Sequence, residues 1–247
     1  MLATGHFTLV NKFACGLSNG YGRAVLKTLD HIDCWIFDLD NTLYPSSANL
    51  FALIDVRMGA YIETLLGCDA VEAKRVQKAH FHEHGTTLSG LMASHDVDPK
   101  HFLDFVHDIA MDRLSPDPAL ASALTKLPGR KLIYTNGDVD YAGRVLAALG
   151  LGENFEAIHD IYGSDLLPKP DPRSYTMMCD ALDVDPARAI FVEDMARNLK
   201  PAKALGMATV WVNNGSEYGH AEACESFIDH EIAHVGDWLN EILGETV

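Results

Sequence analysis

The sequence predicts an α/β protein with a doubly wound, Rossmann-like parallel sheet and an inserted all-helical cap. Two observations lead to this fold class. Short, nearly continuous apolar runs alternate with helical patterns, which is typical of parallel strands covered on both faces by helices. One stretch, from about residue 47 to residue 115, has helical periodicity and no convincing strand. The alternation predicts the sheet, and the interruption predicts the insertion.

Five segments have the composition of buried strands, being short, apolar and rich in β-branched residues. They are residues 34–38, 131–136, 157–162, 189–194 and 208–213. Helical patterns follow them at 139–149, 172–182 and 199–205, and Gly150 and Gly206 are the predicted helix ends. The short connections favour parallel strands joined by crossover helices.

The helical insertion divides the chain. Pro45 precedes it, and Pro116 and Pro118 follow it. We predict an N-terminal extension of residues 1–29, a core of residues 30–45 and 116–247, and a cap of residues 46–115. The loop after the first strand of a doubly wound sheet lies over the ligand-binding edge, so a lid is expected there. The alternative is a helical subdomain without a part in the chemistry.

The end of the chain is predicted to close the sheet. Residues 215–247 are interpreted as a loop followed by an amphipathic helix. The apolar face of that helix consists of Val235, Trp238, Leu239, Ile242 and Leu243. This helix could form a dimer contact, but nothing in the sequence supports one. The oligomeric state is therefore left open between a monomer and a dimer.

The charge balance narrows the class of partner. The 247 residues include 35 acids against 19 Lys plus Arg, for a formal net charge of −16. Such a surface repels nucleic-acid polymers and anionic membranes. No apolar run approaches the roughly 18 residues that span a bilayer. A small phosphorylated substrate would need a metal ion and a local Lys or Arg to draw it in.

The cysteines and the first 29 residues give information about the cellular compartment of the protein. Five scattered cysteines, none in a C-x-x-C pair, are typical of reduced thiols in a cytoplasmic protein. Residues 1–29 carry Lys12, Arg23 and Lys27 and no acid, which has some similarity to a transit peptide. The segment lacks Arg enrichment and a clear amphipathic pattern, so a loosely attached extension is the preferred interpretation.

Two acids at the end of the first predicted strand are the most informative feature. Asp38 and Asp40 are separated by one residue, where the chain leaves the strand. Two carboxylates so close repel each other unless a cation lies between them, which favours a hard, oxygen-seeking ion such as Mg²⁺. The pair also suits a division of labour in which one acid attacks and the other transfers protons.

Other predicted strands also end in polar residues. Tyr134-Thr135-Asn136-Gly137 supplies a hydroxyl, an amide and a turn, Lys169 lies in a proline-rich loop, and Glu193-Asp194 is a second acidic pair. Each motif alone is typical of an ordinary turn or helix cap. Together, the carboxyl ends of parallel strands place these motifs at one edge of the sheet, where ligands bind.

These motifs resemble those of the haloacid dehalogenase-like (HAD) superfamily. D-L-D-N-T-L-Y-P, Y-T-N-G, K-P-D-P and F-V-E-D-M-A-R-N stand in the family's order, and the resemblance covers residues 32–214. It implies that Asp38 is the nucleophile that forms an aspartyl-phosphate and that Asp40 is the general acid and base. It also implies that Thr135, Asn136 and Lys169 bind the phosphoryl group. Mg²⁺ would be held by Asp38, Asp40 through its backbone carbonyl, and Asp194, with Glu193 in support.

The resemblance also indicates the type of reaction and the substrate. The dehalogenase and phosphonatase branches lack an acid at the place of Asp40, so phosphoester chemistry is expected. Tyr44-Pro45 and the loop from His84 to Leu91 resemble the pyrimidine 5′-nucleotidase branch. Tyr44, His84, Thr86 and Thr87 are therefore predicted to contact the substrate. The alternative for the loop is a helix–turn–helix connection with a helix cap at Thr86 or Thr87.

Three other interpretations stay open at this stage. The enzyme could be a phosphatase for small sugar phosphates or phosphoglycolate, or a mutase, since these share Asp40. A catalytically dead scaffold is disfavoured because every core motif is present. His80, His82 and His84 suggest zinc, but only His80 and His84 share a helix face, so surface or capping roles are expected.

Overall fold

The structure, a computed structural model, describes residues 29–216, 219–220 and 222–244. Apart from Leu29, the predicted N-terminal extension lies outside these residues. Six strands of the described chain form one sheet: β1 (Cys34–Phe37), β2 (Arg130–Tyr134), β3 (Ala157–His159), β4 (Ala189–Glu193), β5 (Ala208–Val212) and β6 (His230–Ile232). Their order is β3-β2-β1-β4-β5-β6, and every neighbouring pair is parallel. The predicted doubly wound sheet is confirmed.

The helices of the described chain fall into a cap group and a core group. The cap helices are α1 (Phe51–Leu66), α2 (Ala70–His84), α3 (Thr87–His95) and α4 (Pro99–His107). The core helices are α5 (Pro118–Lys126), α6 (Val139–Leu149), α7 (Pro172–Leu182), α8 (Ala196–Leu205) and α9 (Val235–Leu243). Short 3₁₀ turns lie at Ser46–Ala48, Gly152–Asn154 and Pro186–Arg188.

Strand β1 lies at the centre of the sheet. All four of its residues are buried, and it pairs with β2 on one side and β4 on the other, so that Cys34 lies opposite Arg130 and Ala189. This burial on both faces explains its continuous apolar sequence. The five predicted strands are present, and each prediction extends past the observed end. The polar residues at those ends leave the hydrogen-bonded ladder and enter the loops at the ligand-binding edge.

Strand β6 was missed because it has no apolar run. Its three residues, His-Glu-Ile, are exposed or half-buried at the edge of the sheet. Asp229, just before the strand, accepts hydrogen bonds from the backbone N–H of Thr209 (2.9 Å) and from the ammonium of Lys203 (2.6 Å). Side-chain contacts and backbone pairing with β5, rather than hydrophobicity, therefore hold this strand in place.

Between β1 and α5 the structure has helices joined by short loops and no strand, which confirms the inserted helical cap. Side-chain oxygens begin most of its helices, because they accept from backbone N–H groups of the first turn. Asp69 caps α2, Thr86 caps α3 and Asp98 caps α4. Inside the cap, the ring of Tyr61 contacts that of Phe102 edge to face at a centroid distance of 5.0 Å.

Helix α5 is an element that the sequence analysis did not assign. Pro116 and Pro118 were interpreted as the end of the insertion, with no helix assigned after them. Pro118 instead occupies the first turn of α5, where a missing N–H costs nothing, and Asp117 caps the helix by accepting from the N–H of Leu120 at 2.9 Å.

The predicted C-terminal helix is confirmed as α9. Val235, Trp238, Leu239 and Ile242 are buried, and the rings of Trp238 and Trp35 lie 6.1 Å apart. Gly150 and Gly206 end α6 and α8 with positive φ angles of 70° and 102°, as predicted. Among the helices of the described chain, none is both long and apolar enough to cross a membrane.

Candidate active site

The nucleophile candidate Asp38 lies one residue beyond β1 and is 7% exposed. Its backbone N–H still donates to the carbonyl of Val192 on β4, which fixes the chain as it leaves the sheet. The Thr42 hydroxyl donates to Oδ2 at 3.0 Å, and the Lys169 ammonium donates to Oδ1 at 2.6 Å. Both carboxylate oxygens therefore have fixed directions.

A tight turn returns the chain to the same site after Asp38. Asn41 has a φ of 57°, a left-handed conformation that Asn tolerates better than most residues. The N–H of Leu43 donates to the carbonyl of Leu39 at 3.1 Å and closes the turn. This turn is why two acids separated by one residue can both serve one site.

Lys169 is the buried cation of the site, at 1% exposed. Its ammonium donates to Asp38, to Glu193 at 2.8 Å and to the carbonyl of Tyr134 at 2.9 Å. Burial alone would lower the pKa of Lys169, but the two carboxylates outweigh it and raise the pKa above its usual value. The lysine is thus held charged where a phosphoryl group would need a cation.

Three buried carboxylates form a cluster at this site, and two of them, Asp38 and Glu193, contact that cation. Ligand oxygens of Asp38, Glu193 and Asp194 all lie within 4.8 Å of one another, and among the described residues no other group of acids, His or Cys does so. Burial and the neighbouring Glu193 raise the pKa of Asp38 to about 7, and the same causes raise that of Asp194. The cluster holds three acids and, among the described residues, its only ion-paired lysine contacts two of them, which leaves an excess of acidic groups at this point.

This donor set fits a hard divalent cation. Carboxylate oxygens are the ligands that Mg²⁺ prefers, and a bound cation would relieve the repulsion that raises these pKa values. Asp194 is held in place by Asn214, whose amide donates to Oδ2 at 3.1 Å. The Asp194 carbonyl accepts from the Trp211 indole N–H at 2.9 Å, and Glu193 accepts from the N–H of Met195 at 3.0 Å.

The second acid, Asp40, is held by two tyrosines. Tyr44 and Tyr141 donate their hydroxyls to the same oxygen, Oδ1, at 2.5 Å and 2.6 Å. Burial and the negative charge of Asp40 raise the pKa of both phenols well above the usual value, so both stay protonated as donors. One oxygen of Asp40 is occupied in this way, while Asp40 also lines the cavity described below.

A histidine from the last cap helix lies against this pair. The His107 ring stacks on the Tyr141 ring at a centroid distance of 4.2 Å and an angle of 15°. His107 Nδ1 is hydrogen-bonded to the Asp138 carboxylate, which also caps α6 by accepting from the N–H of Tyr141 at 2.8 Å. Burial opposes ionisation of Asp138, but the bond to His107 outweighs it and lowers the pKa of that carboxyl.

The remaining predicted phosphate-binding residues lie after β2. Thr135 is buried, and its hydroxyl accepts from the N–H of Gly137 at 3.0 Å, which shapes the turn. The Asn136 amide contacts the backbone of Lys169 twice: Oδ1 accepts from its N–H at 2.8 Å, and Nδ2 donates to its carbonyl at 3.3 Å. Asn136 therefore ties the lysine loop to the end of β2.

A cavity of about 620 Å³ extends from these groups into the cap. Asp38, Asp40 and Lys169 line its core end, while Thr86 and Thr87 line its cap end. A volume of this size is typical of small-molecule sites. Arg197 of α8 also lines it, with its guanidinium 4.8 Å from the Phe81 ring centre and bonded to the Gly85 carbonyl at 3.4 Å.

The structure places the four predicted cap residues in different surroundings. Tyr44 is directed at Asp40, as described above. Thr86 accepts from the N–H of Ser89 at 3.1 Å and begins α3, so the segment predicted as a loop is the helix–turn–helix alternative. Thr87 is buried with its hydroxyl 3.5 Å from the Gln77 carbonyl, and the ring of His84 lies 5.8 Å from that of His80.

The cap histidines do not form a second ligand group within the described chain. The rings of His80 and His95 lie 6.3 Å apart, and neither belongs to the one cluster close enough to share an ion. Burial, with His84 and His95 nearby, lowers the pKa of His80. The expected surface or capping role is wrong for His80, because both nitrogens of its ring are buried and have no hydrogen-bond partner among the described residues. His82 is exposed and His84 is the half-buried last residue of α2, which agrees with the expectation for these two.

Sequence reasoning assigned no role to Thr42, Tyr141 or Asn214. Thr42 lies inside the first motif, so its contact with Asp38 could have been expected from the turn. Tyr141 is the third residue of the helix after the Tyr-Thr-Asn-Gly motif, and Asn214 comes two residues after β5. Both positions are at the ligand-binding edge, which is the signal that could have identified them.

Comparison with known proteins assigns the fold and most of the chain to one family. Residues 32–206 match the family model of haloacid dehalogenase-like hydrolases. Phosphate metabolism protein 8 of Saccharomyces cerevisiae is 28% identical over 192 residues, which are 71% of this chain and 60% of the yeast protein. The phosphoglycolate phosphatase of Shigella boydii is 25% identical over 210 residues, covering 75% of this chain and 82% of that protein.

Solved structures agree on the fold. An HAD phosphatase from Thermococcus onnurineus covers 87% of this chain and 100% of its own, with a TM-score of 0.58 and 21% identity. An L-2-haloacid dehalogenase from Xanthobacter autotrophicus has the same coverage, with a TM-score of 0.54 and 22% identity. At this identity the two likenesses show the architecture alone, and the chemistry has to be argued from the site.

Proposed function

Since this chain belongs to the haloacid dehalogenase-like hydrolase family, we propose that it is a Mg²⁺-dependent phosphomonoesterase that acts through an aspartyl-phosphate on Asp38. One observation carries the proposal. Two acids with separate environments share one edge of the sheet: Asp38 is bonded to Lys169, and Asp40 is bonded to two tyrosine hydroxyls. That division suits a nucleophile beside a proton donor.

In the first step, a carboxylate oxygen of Asp38 attacks the phosphorus of the ester. The bond from phosphorus to the ester oxygen breaks, and that oxygen takes the proton of Asp40 and leaves as an alcohol. Lys169 offsets the negative charge of the phosphoryl oxygens. Proton donation by a placed acid contributes about 10²- to 10⁴-fold to the rate, because an alkoxide is a poor leaving group.

In the second step, Asp40 is a carboxylate and takes a proton from water. The water oxygen attacks phosphorus, the bond to Asp38 breaks, and inorganic phosphate is released. Asp40 ends the cycle protonated, as it began. Tyr44 and Tyr141 keep its carboxyl in one position through both steps, since they bond the same oxygen.

Asp38, Asp194 and the Asp40 backbone carbonyl are the groups that would hold Mg²⁺. When bound, the ion supplies positive charge against the repulsion between a phosphate dianion and an attacking carboxylate. Glu193 bonds both Lys169 and the N–H of Met195, so it would act by holding the lysine. Asn214 would keep Asp194 directed at the ion.

As the substrate we propose a nucleoside 5′-monophosphate, with pyrimidines preferred. The cavity continues well past Asp38 into the cap, and its walls include the aromatic rings of Phe51 and Phe81. A two-carbon phosphate ester would leave most of that space unfilled. The match to a phosphoglycolate phosphatase makes phosphoglycolate the second candidate, since that relative aligns with three quarters of this chain.

Phosphate release by the purified protein tests the proposal. The panel contains UMP, CMP, ribose 5-phosphate and phosphoglycolate, with Mg²⁺ or with EDTA. Asp38→Asn is the matched control because it keeps the size of the side chain. We expect stoichiometric phosphate from pyrimidine nucleotides, lost in EDTA and in the variant.

Other outcomes identify the alternatives. Turnover of phosphoglycolate alone would support the proposed phosphatase reaction and identify phosphoglycolate, rather than a nucleotide, as the substrate. Isomerised product without free phosphate would indicate a mutase. No turnover of any ester would contradict the proposal and favour a scaffold that binds without catalysis.

A further inference from the structure

His107, the last residue of α4, is a polar residue in an otherwise apolar part of the cavity wall. The residues of α4 that line the cavity are Phe102, Leu103, Val106 and His107. A polar group among apolar walls is the kind of group that fixes the orientation of a small ligand. The surroundings of the ring show which of its atoms a ligand can reach.

The two nitrogens of the His107 ring differ in their contacts. Nδ1 is bonded to the Asp138 carboxylate, and one face of the ring is stacked on Tyr141. Nε2 has no hydrogen-bond partner among the described residues, and unlike both nitrogens of His80 it is not fully buried. Since the ring lines the cavity and the residue is only 7% exposed, Nε2 is the atom that His107 leaves open to a ligand there.

Contacts with α6 hold the ring in this orientation. Asp138 also accepts from the N–H of Tyr141, and the carbonyl of His107 accepts from the Arg144 guanidinium. A carboxylate partner places a proton on Nδ1, because only an N–H can donate to it. Nε2 then accepts a hydrogen bond when the ring is neutral and donates one when the ring is charged. A hydroxyl group suits both states, since it can donate and accept.

The ring is also next to the proposed proton donor. Tyr141 is fully buried, and it contacts His107 with its ring and Asp40 with its hydroxyl, at 2.6 Å. Asp40 and His107 both line the cavity, so they are neighbours on its wall with Tyr141 behind them. The oxygen that Asp40 protonates belongs to the leaving alcohol. The part of the alcohol close to that oxygen is therefore within reach of His107.

We propose that Nε2 of His107 binds a hydroxyl group of the leaving alcohol, which in a nucleoside 5′-monophosphate is a ribose hydroxyl. This inference rests on the proposed function, because the ribose lies beside Asp40 only if Asp38 attacks the 5′-phosphate. It makes His107 a specificity residue that favours ribonucleotides over analogues without the ribose hydroxyls.

The competing explanation is that His107 only supports Tyr141 and, through it, Asp40. Such a role would affect all these esters alike, because each needs a proton on its leaving oxygen. A binding role would affect only an ester that carries the hydroxyl. The test therefore changes the hydroxyl on the substrate as well as the nitrogen on the protein.

The experiment measures kcat/KM for UMP and for 2′,3′-dideoxy-UMP, which differ only in the two ribose hydroxyls. In the wild-type enzyme we expect UMP to be favoured by about 5- to 50-fold, because the analogue leaves Nε2 without a partner in the site. His107→Phe keeps an aromatic ring against Tyr141 and removes the nitrogen. In this variant the two substrates should differ by less than about twofold, whatever the loss that they share.

His101→Phe is the matched control. His101 lies on the same helix, is hydrogen-bonded through Nδ1 to the Tyr61 hydroxyl at 3.0 Å, and is not among the cavity-lining residues. We expect this variant to keep the wild-type ratio of UMP to the dideoxy analogue. Melting temperatures of both variants show whether a loss of activity is a loss of folded protein.

Three results would overturn the inference. Equal kcat/KM for the two nucleotides in the wild-type enzyme would do so without any variant, even if His107→Phe does not fold. A wild-type ratio in folded His107→Phe, with both substrates slowed alike, would leave the histidine only its support of Tyr141. Turnover of phosphoglycolate but of neither nucleotide would exclude the ribose contact and keep the phosphatase, whereas no turnover of any ester would contradict the proposed function as well.

Discussion

At the scale of single residues, the site depends on Lys169 as the partner of buried acids. We expect Lys169→Met to lower kcat by about 10²- to 10³-fold, since the phosphoryl oxygens would lose a fixed cation. Without metal, the free energy of unfolding should fall by about 3–5 kcal/mol, because Asp38 and Glu193 would be left buried without a counter-charge. Urea unfolding in EDTA and steady-state kinetics in Mg²⁺ measure the two effects.

Lys100→Met is the control for that change. Lys100 forms an exposed ion pair with Asp104 at 2.7 Å, and such pairs contribute about 0–1 kcal/mol. It should leave both kinetics and stability close to wild type. Undiminished activity in Lys169→Met would contradict the assignment of Lys169 to the phosphoryl group.

The two tyrosines on Asp40 give a second prediction at this scale. Tyr141→Phe removes one of two hydroxyls on the same oxygen, so the acid should lose part of its fixed orientation. We expect kcat to fall about 10-fold while KM changes little, consistent with a charge-assisted bond of about 1.5–3 kcal/mol that orients a proton donor. The double variant with Tyr44→Phe should lose more than either single variant.

Tyr162→Phe tests whether the effect is specific. Tyr162 is 40% exposed and makes no contact with Asp40. It should behave as wild type in the same assay. A rise in KM alone for Tyr141→Phe would show that its hydroxyl contacts the substrate instead of orienting the acid.

Some residues of the site could be predicted from sequence and others could not. Asp38, Asp40, Lys169 and Asp194 stand at strand ends, so the topology alone places them at one edge. Tyr141 and Asn214 reach the same edge from a helix and from a loop after β5. Their contacts depend on side-chain directions in three dimensions, which no spacing along the chain records.

At the scale of secondary-structure elements, β6 depends on Asp229. Its carboxylate bonds Lys203 and Thr209, and although burial opposes ionisation, these contacts lower the pKa of Asp229 below its usual value of 3.8. The stabilisation is therefore complete above about pH 4 and is lost as the pH falls through the lowered pKa. We expect Asp229→Asn to lower stability by about 1 kcal/mol at pH 7, since the pair is partly solvated.

Urea unfolding of both proteins from pH 7 to pH 2.5 checks this. The difference between wild type and Asp229→Asn should shrink as the pH falls below about 4, because the unfolded chain then binds a proton that the folded carboxylate, with its lowered pKa, accepts only at lower pH. A difference that stays constant across the range would mean that the charge of Asp229 contributes nothing.

Buried helices and strands could be predicted from the sequence more accurately than exposed ones. Helices α6 and α7 have the predicted bounds, because amphipathic repeats and clear end signals agree there. The edge strand β6 has no apolar pattern to detect. Helix α5 was missed because Pro118 was interpreted as a boundary rather than as a first-turn residue, although Asp117 before it is a typical helix cap.

At the scale of the whole molecule, the net charge of −16 opposes the approach of any phosphorylated substrate. Salt shortens the range of that repulsion, from about 30 Å at 0.01 M to about 8 Å at 0.15 M. We expect kcat/KM for a phosphate monoester to rise about two- to fivefold over this range of KCl at fixed Mg²⁺. A steady fall would show that the local charge of Lys169 and the metal dominates the encounter.

The stacking of His107 on Tyr141 has a consequence for the order of events in a catalytic cycle. His107 ends the last cap helix, and Tyr141 donates a hydrogen bond to Asp40, the proposed proton donor. A cap that swings away would withdraw the ring that supports this tyrosine. We therefore expect Asp40 to be fully aligned only when the cap is closed over a bound substrate. Cleavage would then follow cap closure, and an enzyme with an open cap would not hydrolyse esters that it has not enclosed.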